Sequence, residues 1–335
     1  MQHEDKTAQF LTPFSSLSPD TVIQSVESQG YLSDGRILAL NSYENRVYQV
    51  GIEDDAPIIA KFYRPDRWSD EQIQEEHDFC YELLEAELPV ICPIKNDTGE
   101  TLRHSNSHRI ALFERKGGRA PDIGQKEHLQ VLAQQLGRMH AVSKQKPFKH
   151  RPTFSIDRFG FESKAAIEST VLPSHYLEAY QAISEQVLTK VQAVFDQTQH
   201  LNLIRCHGDC HMGNVLIRDE KPFFVDFDDT LMAPATWDLW MLLSGDFQEQ
   251  SSQFKTILDE YELFNDWDYQ ELKLIESFRT LRLFYFTAWI ARRWQDPAFQ
   301  QNFPWFNTER FWSEHIQNLK EQLFQLDEPS LSILL

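Results

Sequence analysis

The densest polar run in the chain reads Cys206-His207-Gly208-Asp209-Cys210-His211-Met212-Gly213-Asn214, and Asp226 follows twelve residues after Asn214, at the end of Phe223-Phe224-Val225. Val215 to Arg218 and Pro222 to Phe227 read as the two arms of a short β segment, with Asp219-Glu220 at the turn between them. The run therefore leads into a hairpin, and Asp226 lies where the hairpin ends. An Asp, an Asn five positions on and an Asp at a strand end put a carboxylate and several hard oxygen donors on one loop and one hairpin. Phosphoryl transfer needs those parts: a carboxylate to orient the acceptor hydroxyl, and oxygen ligands for a Mg²⁺ that bridges the phosphates. Asp209 fits the first role. Asn214 and Asp226 fit the second.

Two plainer readings compete. Cys206, His207, Cys210 and His211 are all potential zinc ligands. A structural zinc site normally draws two knuckles from separate loops, and no second Cys/His pair sits nearby. A lone Asp or Asn would be an ordinary polar loop residue, but Asp209, Asn214 and Asp226 around one short hairpin form a more specific pattern. His207-Gly208-Asp209 also occupies the place that His-Arg-Asp holds in protein kinases, with the same Asp-to-Asn spacing.

Upstream, the first third of the chain supplies matching parts. Ser18-Pro19-Asp20 starts a helix that runs to about Val26. Arg46 to Ile52 reads as a strand with Tyr48, Val50 and Ile52 on one face, and Asp54 to Pro57 as a turn. Ile58 to Tyr63 is a second strand, whose Ile58-Ile59-Ala60-Lys61 is similar to the Val-Ala-Ile-Lys strand of kinases. Alone, a strand lysine is more often a snorkelling surface residue. The next helix changes that. Ser69 and Gln72 have the capping-box form, and the helix should run to about Glu87, before Pro89. Its apolar stripe is read as Ile73, Cys80 and Leu84, which puts Glu76 on the inward face. A buried carboxylate needs a partner. Lys61 is the natural one and would be held against the α- and β-phosphates. Glu75, about 100° away around a helix of 3.6 residues per turn, is the second choice.

Leu40-Asn41-Ser42-Tyr43-Glu44-Asn45-Arg46 lies where a glycine-rich phosphate loop would sit, yet it contains no glycine. Ser42 could offer a hydroxyl and backbone N–H groups, and Asn45 tolerates positive φ; read alone, the segment is a hairpin turn. More strand is expected over Val90 to Ile94, Thr101 to Leu102 and Arg109 to Glu114, with Lys116-Gly117-Gly118 as the joint between lobes. Helices are expected over 126–142, 174–196, 236–244, 251–262, 269–294 and 307–325.

Composition bounds the partners. The 335 residues are 41% apolar, and 51 Asp and Glu against 32 Lys and Arg give a net charge of -19. That balance argues against nucleic acid and against an anionic membrane surface, and favours a cationic or neutral partner. Four cysteines, Cys80, Cys92, Cys206 and Cys210, are too few for a disulfide scaffold and point to reducing cytosol. The start, MQHEDKTAQF, has no apolar stretch of the kind a signal peptide carries. The longest strongly apolar run, Leu283 to Ala291, is fenced by Arg282, Arg292 and Arg293. Spanning a bilayer takes about 17–25 residues, so the run is read as a buried core helix.

His207-Gly208-Asp209 to Asn214, Val225-Asp226, Trp237-Asp238-Leu239 and Leu136-Gly137-Arg138-Met139-His140 resemble the aminoglycoside phosphotransferase and choline kinase branch of the protein-kinase-like fold. Asn41 to Gln49, Lys61-Phe62-Tyr63-Arg64-Pro65, Asp238 to Leu243 and Asn302-Phe303-Pro304-Trp305 look more closely like the bacterial stress response kinase A family. The likeness spans roughly 10–325. It implies that Asp209 accepts the proton, that Asn214 and Asp226 hold Mg²⁺, that Ser42 touches ATP phosphate and that Asp238 anchors the catalytic loop. It further implies Ser/Thr protein phosphorylation, autophosphorylation and a role in surviving stress. Against eukaryotic kinases, Asp226 is followed by Phe227-Asp228-Asp229 rather than Phe-Gly, and no Ala-Pro-Glu segment ends an activation loop.

The expected architecture is a bilobal α+β protein of the kinase-like fold. Residues 1–115 form a small antiparallel sheet with one helix, and 116–335 form a helical lobe. ATP is expected between them, its adenine against Phe113, Glu114 and Arg115 through backbone groups. The expected enzyme is a cytoplasmic, monomeric, ATP- and Mg²⁺-dependent Ser/Thr protein kinase, with an open acidic groove in front of Asp209. A phosphotransferase acting on an amino alcohol or aminoglycoside is the alternative, and a non-catalytic ATP-binding regulator is a second.

Overall fold

The computed structural model describes residues 13–331 apart from Ile123 and Gln199, so the N-terminal stretch read above for a signal peptide lies outside the described residues. The chain divides into two units. One holds the residues up to Gln74 together with Pro93–Arg115, and the other holds Glu75–Cys92 together with the chain from Lys116 onward.

The first unit is built on a five-stranded antiparallel sheet. After helix α1 (Pro19–Glu27), whose N–H of Thr21 is capped by Ser18, come β1 (Ser33–Ala39), β2 (Arg46–Ile52) and β3 (Asp55–Phe62). Helix α2 (Asp70–Glu85) opens here, and β4 (Arg103–Ser105) and β5 (His108–Glu114) complete the sheet in the order β1-β2-β3-β5-β4. The Ser69–Gln72 capping box forms in both directions, at 2.9 and 3.2 Å. Val50, Ile58, Ala60, Phe62, Ile110 and Leu112 bury one sheet face against Val22 and Val26 of α1. The edge strand β1 had no sequence signal. It is mostly solvated, carries Asp34, Gly35 and Arg36, and shifts register between Ser33 and Ile37. The strand expected over Val90 to Ile94 does not form. Val90 makes a single bridge to Phe224 and Pro93 one to Phe113, because Pro89 and Pro93 lack the N–H groups a ladder needs.

The second unit keeps the rest of α2 and adds α3 (Lys126–Ser143), α4 (Glu162–Thr170) and α5 (Leu177–Asp196). Four short strands follow: β6 (Leu203–Cys206), β7 (Val215–Arg218), β8 (Lys221–Phe224) and β9 (Leu231–Pro234). Helices α6 (Thr236–Leu239), α7 (Phe247–Tyr261), α8 (Ile275–Arg292), α9 (Pro297–Asn302) and α10 (Glu309–Gln325) close it. On α2 the buried leucine is Leu83; Leu84 is 45% exposed, so the apolar stripe is Ile73, Phe79, Cys80 and Leu83, with buried Glu76 among them. The run Leu283 to Ala291 lies inside α8, and among the described residues no helix is long and apolar enough to cross a membrane. Phe154, Phe159, Phe195, Trp237 and Phe278 form one aromatic centre, with Trp237 at 4.7 Å from Phe159 and 5.2 Å from Phe278. Fully burying an aromatic side chain of this size stabilises by about 1.5–3 kcal/mol, so this cluster is a firm floor for whatever rests on it.

Candidate active site

What rests on it is the Cys206 to Asn214 loop. The site is made of two nested hairpins. β6 pairs antiparallel with β9, from Leu203 opposite Pro234 to Cys206 opposite Leu231. Between them β7 and β8 form the inner hairpin, turning at Asp219 and Glu220, both at positive φ as a two-residue type I′ turn requires. Val225 N donates to Asn214 O at 3.0 Å and His207 Nε2 to Val225 O at 3.0 Å, which ties the two ends of the inner hairpin together. Trp237 Nε1 donates to Gly208 O at 3.0 Å and so joins the loop to the aromatic centre.

Asp238 holds the loop from below. It is fully buried; Oδ2 accepts from His207 N at 2.7 Å and Oδ1 from Gly208 N at 2.9 Å. His140 of α3 donates Nε2 to Asp238 Oδ2 at 3.1 Å and meets the Tyr261 hydroxyl at 2.9 Å. Cys206, His140 and Asp238 converge closely, but Asp238 is already the acceptor of three N–H groups, and burial, with the Asp238 charge, pushes the Cys206 thiol up, so it stays protonated. The zinc set weighed above, Cys206, His207, Cys210 and His211, is not gathered into one cluster among the described residues.

Asp209 follows the held backbone. Its Oδ2 faces Asn214 Nδ2 at 3.3 Å and His211 Nε2 at 3.5 Å, while Asn214 Nδ2 also donates to the Asp209 carbonyl at 3.0 Å. Oδ1 accepts from Arg282 of α8. Burial raises the Asp209 carboxyl, but Arg282, His211 and His207 outweigh it and hold the group below the usual carboxylate range. The charge that meets the Asp209 carboxylate from another helix is the Arg282 guanidinium. Arg282 was visible in sequence only as the fence of an apolar run, since 73 residues separate it from Asp209. Asp226 sits just past β8 at φ 61, ψ 67, a left-handed conformation that re-aims the chain into the turn Phe227–Asp229.

The other predicted residues divide between the units. In the first, Lys61 is buried on β3 opposite Val47 and Ala111, with Nζ 4.9 Å from the Tyr63 ring centre. Ser42 donates to Asn45 O at 3.3 Å. Asn45 does not take positive φ; its buried amide accepts from Arg64 N at 3.0 Å instead. Glu114 is exposed at the end of β5, and Arg115 donates to Gln49 at 2.7 Å. In the second unit, Glu76 is buried on α2, and its neighbour Glu75 accepts from the N–H groups of Lys149, His150 and Arg151 at 2.6, 2.8 and 2.8 Å.

Residues 36–275 match the model of the phosphotransferase enzyme family. Stress response kinase A of Escherichia coli (strain K12) is 40% identical over 321 residues, covering 96% of this chain and 97% of its own. The serine/threonine protein kinase RdoA of Salmonella typhimurium is 40% identical over the same extents. Among solved structures, the amicoumacin kinase hAmiN in complex with AMP-PNP, Ca²⁺ and Ami superposes with a TM-score of 0.72 at 19% identity, covering 92% of this chain and 94% of that one. A microcompartment-associated aminopropanol kinase gives 0.68 at 14%, covering 90% and 96%. The solved structures share the α+β protein-kinase-like fold. With its close relatives aligned from end to end, the chain belongs to the phosphotransferase enzyme family, in its stress response kinase A branch.

Proposed function

We propose that the chain is an ATP- and Mg²⁺-dependent Ser/Thr protein kinase that phosphorylates protein hydroxyls, its own included, in a bacterial stress response. The observation that carries this reading is the fixed Asp209 carboxylate: its loop is pinned by Asp238, and Asn214 lies against it. The name of the serine/threonine protein kinase RdoA, a relative at 40% identity, supports the protein acceptor. Asp209 takes the hydroxyl proton as the acceptor oxygen bonds to the γ-phosphorus. The bond from that phosphorus to the β–γ bridging oxygen breaks, and ADP leaves with its electron pair.

The donor set fits a hard divalent cation. Asn214 turns its amide nitrogen to Asp209, which leaves its oxygen as donor, and Asp226 adds a carboxylate. Mg²⁺ on these oxygens would neutralise phosphate charge. Ser42, Lys61, Glu76 and the backbone of Glu114 and Arg115 are assigned to the nucleotide. The test is mass spectrometry after incubation with Mg-ATP, with Asp209→Asn as control. Phosphate on Ser or Thr is expected. Its absence, with fast turnover of choline, homoserine or kanamycin, overturns the reading in favour of a small-molecule kinase.

A further inference from the structure

Both oxygens of the Asp209 carboxylate are engaged, Oδ1 by Arg282 and Oδ2 by Asn214 and His211. A general base must come within about 2.6–3.2 Å of the proton it takes. Asn214 and His211 belong to the same loop as Asp209. Arg282 comes from α8, and it is the partner whose removal would open a carboxylate oxygen.

Arg282 has a second face. With Trp240, Arg279, Phe286, Asn318 and Glu321 it lines an open cavity of about 380 Å³. The lining is rich in donors. Trp240 Nε1 is buried without a hydrogen-bond acceptor among the described residues, and Arg279, which donates Nη2 to Gln250 at 2.8 Å, lies 5.7 Å from the Trp240 ring centre. Two carboxylates stand near them: Glu276 is ion-paired with Arg279 Nε at 3.4 Å, and exposed Glu321 accepts from Gln317 at 3.1 Å. The carboxylate partner of Arg282 is Asp209 itself.

An acid entering this cavity competes with Asp209 for the guanidinium. The exchange leaves no cation unpaired in a partly buried site, where an unpaired charge is costly. A basic side chain would instead stand beside two arginines, with only the Glu321 carboxylate of the lining left to face it, since Glu276 is paired with Arg279. The net charge of -19 repels an acidic peptide at long range, but the screening length is about 8 Å at physiological ionic strength, so the nearest charges decide. We propose that Arg282 selects the acceptor: it binds an Asp or Glu side chain of the substrate two positions from the Ser or Thr, and in turning to it frees Asp209. Alternate residues of an extended segment share a face and lie about 6–7 Å apart, which suits a hydroxyl at Asp209 and a carboxylate at Arg282. This rests on the protein-kinase reading above.

The test uses the full chain, labelled ATP and Mg²⁺, and three sets of otherwise identical peptides with Asp, Asn or Arg placed two residues before or after a single Ser. The Asp set should show kcat/KM at least tenfold above the others. Arg282→Gln should erase that advantage by raising KM for the Asp set, and Arg282→Lys should restore part of it; thermal unfolding checks that both variants fold. Equal use of all three sets, preference for Arg, or an Asp preference that survives in Arg282→Gln overturns the proposal and leaves the protein-kinase reading standing. Transfer to an amino alcohol and to no peptide overturns both.

Discussion

Asp238 and Gly208 are bound at 2.9 Å, carboxylate to backbone N–H, at a glycine whose φ is +88°. A Cβ at Gly208 would run into the carbonyl of Asp229. The carboxylate thus holds a loop that only glycine can make. Asp238→Ala leaves the buried N–H groups of His207 and Gly208 unpaired, at about 1–3 kcal/mol each. Urea unfolding should show a loss of about 2–6 kcal/mol by that count. A midpoint equal to that of the native chain would mean the loop holds without its anchor.

Asp209→Asn should fold normally and lower kcat by about 10²–10⁴, the usual contribution of general-base catalysis. Because Arg282 and the histidines more than offset burial and keep the carboxyl below the usual range, the base stays ionised at neutral pH. The rise of kcat/KM with pH from this group should therefore be complete below about pH 4. Near-normal turnover in Asp209→Asn would sink the assignment.

Asp226 should matter for metal rather than for nucleotide as such. In Asp226→Ala, calorimetry should show Mg-ATP binding weakened more than binding of metal-free ATP. Equal losses would make Asp226 a structural residue of the Phe227–Asp229 turn.

Glu271 gives a pH signature of stability. It is buried, accepts from Thr236 N at 3.0 Å and Thr236 Oγ1 at 2.7 Å, and burial outweighs these bonds to push it up to about 7. Below about pH 4.5 the carboxyl is protonated in both folded and unfolded chains. Between that and about pH 7 the unfolded chain gives up the proton first, so stability falls as pH rises, by about 3 kcal/mol in all. Glu271→Gln keeps an oxygen for Thr236 and should remove the decline, raising the unfolding temperature at pH 8 but not at pH 4.5. A parallel shift at both values would refute the account.

The features legible in the sequence are those set by neighbours along the chain. β2 over Arg46–Ile52, the Ser69–Gln72 capping box, the Asp219-Glu220 turn and the Asp209–Asn214 contact each close within a few residues. Local geometry is enough to write them. β6 and β9 have no sequence signal, because four-residue strands buried at every position but Leu203 show no alternation. Spacing alone allows Leu84 where the fold buries Leu83, because a stripe on a helix is ambiguous until the opposing surface exists.

By itself, then, the sequence determined a loop with an Asp and an Asn five positions apart and a hairpin that ends at Asp226; that only glycine fits at 208 follows from its φ of +88° and the Asp229 carbonyl beside it. Which charges meet that loop was decided by tertiary structure. His140 and Asp238 are 98 residues apart, and Arg282 reaches Asp209 from another helix altogether. No periodicity or spacing records such a pair, because a salt bridge depends on where two packed elements cross. The whole-chain charge of -19 suggested a cationic acceptor; the one guanidinium that packing placed on Asp209 points the other way, since Coulomb energy falls with distance and is screened by salt.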